Sequence, residues 1–164
     1  MPELSTAAAA LVEALIGRGA HVESVRALEG MDWKLTGRRL RDAPHTIFQI
    51  LNHIIFWQDF CLRRLRGEQV QVPPRAEVGW PGPESPHHED EWKATTATFA
   101  EGLQDACTIA RGPDLDEVLP AWEQTTRYEA LRIIASHNSY HIGQIVLLRR
   151  MLGAWPPPGG GDTW

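Results

Sequence analysis

The stretch Thr126–Leu152, TRYEALRIIASHNSYHIGQIVLLRRML, sets two histidines in the middle of an apolar helix face. An α-helix turns about 100° per residue, so Ala130, Ile134, His137, His141, Ile145, Leu148 and Leu152 share one stripe. Everything else on that stripe is apolar. The two histidines stand at i and i+4, roughly 6 Å apart along the axis, close enough to share one ion. Thr126 with Glu129 forms a T-x-x-E capping box at the start, and Gly153 before the Pro156 run stops the helix. The stretch predicts a long core helix that turns two imidazoles inward.

Working outward, Pro113–Gln124 is a short link whose Leu115, Val118, Leu119 and Trp122 are expected to pack on the core, and WPPPGGGDTW (155–164) is an extended tail. Glu89 to Gly112 carries Trp92, Thr96, Phe99, Leu103, Ala106 and Ala110 on a stripe, a third helix. Glu68–His88 holds Pro73, Pro74, Pro81, Pro83 and Pro86 without a helical period, and reads as a crossover along the fold rather than a lid. The second helix runs from Asp42-Ala-Pro44, with Asp42 as N-cap and Pro44 in the first turn, to Leu65. Its face is Ile47, Ile50, Leu51, Ile54, Trp57, Cys61 and Leu65, with His53 at the edge. Leu4–Ile16 is the first helix, ended by Gly17 and Gly19; His21–Leu40 is a weaker pattern broken at Gly30 and Gly37, either a continuation or a separate connector. Four helical patterns, no convincing strand and one long connection between helices two and three predict an all-α four-helix bundle. A connection of that length lets helices two and three run in the same direction.

A chain of 164 residues with 43% hydrophobic content suits one domain, 1–164. The net charge of −5 offers no basic footprint for nucleic acid or an anionic membrane. There is no signal-peptide pattern and no apolar run of membrane-spanning length, so the cytoplasm is the default location. Cys61 and Cys107 lie inside helical patterns and read as buried free thiols, with a disulfide left open.

The chemistry rests on the histidines. One from the second helix and two from the fourth can present three ring nitrogens to a single ion, leaving a position for water or substrate. His53 alone would read as a core histidine with a local hydrogen bond. His137 and His141 together do not, because two adjacent buried imidazoles each need a partner and one ion satisfies both. HNSYH lacks the glutamate of H-E-x-x-H, and no E-x-x-H pair, C-x-x-C, phosphate loop or G-x-S-x-G occurs. His87 and His88 in the loop read as solvated; His21 and His45 read as surface or packing residues. Gln144 reads equally as a residue lining the site and as a helix-edge amide, while Trp57, a turn from His53, reads as core before pocket wall.

PHTIFQILNHIIFWQDFCLRRLRG (Pro44–Gly67) together with SHNSYHIGQIVLLRR (Ser136–Arg150) resembles the DinB/YfiT-like superfamily, and the tail resembles endings among its members. The resemblance implies a four-helix bundle with a divalent metal on His53, His137 and His141, and a homodimer. Some members are thiol-dependent transferases or isomerases, so it also implies a low-molecular-weight thiol as a candidate cosubstrate. The leading expectation is a metal-dependent transferase or hydrolase acting on a small molecule; the alternative is a non-catalytic metal-binding bundle serving as a dimeric sensor or scaffold. A plain bundle without metal is a third reading. Three histidines suit zinc or nickel first, with iron or copper as further options.

Overall fold

Capping chemistry places the helix boundaries. In the computed structural model, which describes residues 4–161, Ser5 accepts the Ala8 N–H and opens α1 (Thr6–Ile16), and Gly17 closes it at φ 88°. Ala8, Leu11, Val12 and Leu15 form its buried face, whereas Leu4 lies outside the helix and is exposed. The segment that follows is a separate connector, not a continuation: one 3-10 turn at Arg26–Leu28 and a four-residue α2 (Trp33–Thr36) capped by Asp32. The next helix, α3 (Ile47–Leu65), starts later than its sequence suggests. Asp42 is not its N-cap and Pro44 is not in its first turn; Asp42 sits at φ 67° in the preceding loop. Thr46 and Gln49 form a T-x-x-Q capping box, which satisfies two amide donors reciprocally where a lone aspartate satisfies one.

His88 supplies the N-cap of α4 (Glu89–Ala110), its ring Nδ1 accepting the Glu91 N–H at 3.2 Å, with three acidic residues in the first turn facing the helix dipole. The Thr126–Glu129 box opens α5 (Arg127–Met151) as expected, and Gly153 at φ 73° follows its C-terminus. No strand occurs among the described residues, only an isolated bridge between Val118 and Thr126. The outermost residues of the chain, including 162–164 of the expected tail, lie outside the described residues.

The long helices make an all-helical bundle in which α3 packs on α4 and α5, and α1 packs on the same two. Contacts climb α3 and α4 together, from Gln58–Phe99 to Arg66–Asp105, so these two run in the same direction. Against α5 they run in opposite order, from His53 beside His141 to the Leu65 carbonyl on Arg127. A helix of 19 residues is about 28 Å long, and the 66–88 connection is what returns the chain over that distance. Phe99, Leu51, Ile54, Leu131, Ile134 and Ile145 are fully enclosed at the centre. In the link, Leu115 and Leu119 are buried and Trp122 half-buried, but Val118 is exposed: it sits on the edge of the bridge to Thr126, facing away from the core. Cys61 and Cys107 are buried free thiols.

Arg149, near the end of α5, is enclosed and spends its guanidinium on backbone carbonyls: Ala154 at 2.6 Å, Ala27 at 2.7 Å and Glu29 at 2.6 Å. Arg26 reaches the Gly159 and Gly160 carbonyls. Two arginines therefore bind the tail and the connector to the bundle. No helix is long and apolar enough to cross a membrane among the described residues.

Candidate metal centre

His53 projects from the middle of α3, and His137 and His141 project from one face of α5 one turn apart. Antiparallel packing of the two helices brings the three rings together. Centroids lie 5.1 Å apart for His53–His137, 4.6 Å for His53–His141 and 4.5 Å for His137–His141. One ring nitrogen from each falls within 4.8 Å of the other two, a group that fits a metal ion. The Nε2 atoms of His53 and His137 face each other at 3.3 Å. Zinc–nitrogen bonds of about 2.0–2.1 Å in a tetrahedron put ligand nitrogens about 3.4 Å apart, so this edge has the spacing a zinc site needs.

Two of the rings are aimed by hydrogen bonds at their far nitrogens. His53 Nδ1–H donates to the Gly79 carbonyl, and His141 Nδ1–H donates to Gln144 Oε1 at 2.8 Å. A ring that donates from Nδ1 while neutral keeps a lone pair on Nε2, the form in which imidazole binds a metal. Gln144 is thus half-buried and bonded to the His141 ring, not an exposed edge amide.

The loop is part of this site, a correction to its reading as a crossover alone. Trp80 stacks on His53 with centroids 3.8 Å apart and planes 11° apart, and His45 stacks on Trp80 at 3.7 Å. His45, expected to do surface or packing work, completes a three-ring stack beside the centre. Trp57 meets His53 edge-on at 6.5 Å and lies under Gly79, where a Cβ would come within 2.8 Å of its indole nitrogen. The absence of a side chain at Gly79 is what lets the loop come down to His53. The remaining histidines stay out: His21 bonds Val22 and Ser139, His87 pairs with Glu91, and His88 caps α4.

Burial keeps the cluster neutral. It holds His137 down at about 4, with the nearby rings of His141 and His53 adding to the effect. Desolvation likewise lowers His53, His141 and His45. Mutual proximity therefore disfavours protons and leaves lone pairs for a cation. Burial pushes the Cys61 thiol up to about 12, far from the thiolate a ligand or nucleophile requires. A cavity of about 660 Å³ opens on the His141 side, between Trp80, Tyr140, Gln144 and the apolar Ile50, Leu148 and Met151. A smaller one of about 200 Å³ lies on the His137 side, against Trp57, Cys61 and Asn138.

Fold and site together define a helical-bundle protein whose neighbouring helices share a three-histidine cluster fit for a metal ion. The sequence profile of the DinB superfamily matches residues 18–145, which span all three histidines. The chain belongs to the DinB superfamily. No curated protein and no solved structure gives a match.

Proposed function

We propose that the protein is a metal-dependent enzyme of the transferase or hydrolase type, with His53, His137 and His141 holding a zinc or nickel ion, or alternatively iron. The observation that carries this reading is the convergence of three neutral imidazoles, two of them tied at Nδ1, on one point beside a 660 Å³ cavity. A divalent ion held there supplies Lewis acidity toward a water or a low-molecular-weight thiol. The chain's own residues do the rest. Gly79 and Gln144 orient two ligands, Trp80 covers the His53 face, and the apolar wall of Ile50 and Leu148 excludes water from a bound small molecule. A sensor or scaffold would call for a blocked coordination position; the cavity beside His141 favours an open one.

The acidic charge supports a small-molecule substrate over nucleic acid, and a reduced cytoplasm suits the two free thiols. The exposed stripe Tyr140, Leu147 and Met151 on α5 supports a homodimer, which light scattering decides.

The test is elemental analysis of untagged protein purified without chelator, beside a His137→Ala/His141→Ala double variant. The reading expects about one ion per wild-type chain and almost none in the variant. A wild type that is metal-free and takes up neither zinc nor nickel sinks it. In cobalt-loaded protein, a spectrum shifted by added thiol supports the enzyme, and one blind to thiols and small anions supports the sensor.

A further inference from the structure

One ring nitrogen and one buried oxygen of the site lack partners, and they belong to adjacent residues. Asn138 is 1% exposed and donates Nδ2 to Gln58 Oε1 at 2.8 Å. Gln58, 2% exposed, donates Nε2 to the Phe99 carbonyl of α4 at 3.1 Å. A carbonyl only accepts, so both amides have a fixed direction: Gln58 turns Nε2 to α4 and Oε1 to α5, and Asn138 must answer with Nδ2. Gly102 makes the room, since a Cβ there would meet Gln58 Nε2 at 2.3 Å. Asn138 Oδ1 is consequently left buried with no donor. An unpaired buried acceptor forfeits its bond to water without gaining another.

His137 offers the complementary gap. Because His53 donates from Nδ1, its Nε2 accepts, and without an ion the 3.3 Å contact is completed by a proton on His137 Nε2. His137 Nδ1 is then bare. With an ion, Nε2 must give up that proton, and the neutral ring carries it on Nδ1 instead, with no change in charge. Nδ1 is the ring nitrogen on the backbone side of the imidazole, and His137 and Asn138 line the same cavity of about 200 Å³, where a small rotation can bring the two together.

We propose that Asn138 Oδ1 accepts from His137 Nδ1–H in the ion-loaded site, so that Phe99, Gln58 and Asn138 form a relay from α4 through α3 that fixes the tautomer of this ligand. The proposal rests on the three-histidine reading and makes Asn138 a positioning residue. It gives each ligand its own acceptor: Gly79 for His53, Gln144 for His141, Asn138 for His137.

The experiment measures zinc affinity by chelator competition for wild type, Asn138→Ala and Asn138→Asp, with imidazole proton–nitrogen correlation spectra of the zinc-loaded proteins. Asn138→Ala is expected to bind zinc about 10- to 100-fold more weakly, the usual effect of losing an outer-shell partner. Asn138→Asp breaks the bond to Gln58 but keeps an oxygen toward His137, and is expected to recover most of that loss. A purely structural amide predicts the reverse, with both variants equally weak. The wild-type spectrum should show a slowly exchanging proton on His137 Nδ1, a readout that stands even where a variant fails to fold. Equal affinities for the two variants, or no protected Nδ1 proton in the wild type, overturn the relay and leave the metal site standing. A wild type that takes up no zinc removes both.

Discussion

Replacing Arg149 with methionine keeps the apolar stem and removes the guanidinium. Three carbonyls, those of Ala27, Glu29 and Ala154, then lose charged donors that now stand at 2.6–2.7 Å. At about 1–3 kcal/mol for each orphaned group, the loss is about 3–9 kcal/mol. Two terms reduce it. The bonds to Ala154 and Glu29 are only partly buried, so water replaces some of their value. The variant also no longer has to desolvate a guanidinium, a penalty of several kcal/mol that burial imposes on the folded wild type. The net destabilisation should be about 3 kcal/mol. For a chain of this size each kcal/mol is about 2–4 °C, so Tm should fall by about 6–12 °C. Arg149→Lys, with fewer donors and no planar fork, should fall between the two. Thermal and urea melts followed by circular dichroism measure both. A loss under about 1 kcal/mol for Arg149→Met would refute the reasoning, because it would mean the three carbonyls find water as readily as they find the arginine.

Gln144→Leu should weaken zinc binding by about 10- to 100-fold while leaving the metal-free Tm near wild type, since its one structural bond is to His141; unchanged affinity in a chelator competition would count against the orienting role. Thr126→Ala removes the α5 capping box and should cost about 1 kcal/mol in urea melts, with no cost if the helix simply starts later. The metal-free protein should lose stability in acid. His137 has a folded-state value of about 4 against 6.5 unfolded, so between these the unfolded chain binds more protons, and stability falls as pH drops through that window. His53 and His141 shift in the same direction and add to the slope. Melts in chelator across this range should show it, and His137→Leu should flatten it; an unchanged slope would mean that burial does not hold the ring neutral.

Periodicity made α5 legible, because an apolar stripe interrupted by two histidines one turn apart has few other readings. The same argument found His53, since Ile50, Ile54 and Trp57 fix the direction of its face. The α3 start was misread because Asp-Ala-Pro and Thr-x-x-Gln are both start signals four residues apart, and local sequence does not rank them. Gly79 and Trp80 were illegible for a different reason. Their partner is His53, far back in the chain on another element, and a tryptophan between glycine and proline in an aperiodic loop carries no signal of which surface it will meet. A glycine before that tryptophan was the one hint, and it becomes meaningful only once the Trp57 indole is known to lie beneath it. His45 followed from Trp80, and the Gln58–Asn138 pair required knowing that two polar helix positions face each other across the core.

The ring stack of His45, Trp80 and His53 also gives the centre an optical voice. An indole lying flat on one candidate ligand cannot change electronic surroundings independently of it: a cation on His53 alters the field across the Trp80 ring, and an open-shell ion such as nickel or copper drains its excited state where zinc does not. Among the seven tryptophans of the chain, Trp80 is therefore the one whose emission should follow occupancy most strongly and distinguish one metal from another, ahead of Trp57, which meets His53 edge-on at 6.5 Å. Its location on the loop adds a second message, because light from the same residue reports whether Gly79 and its neighbours are seated on the helices or lifted away.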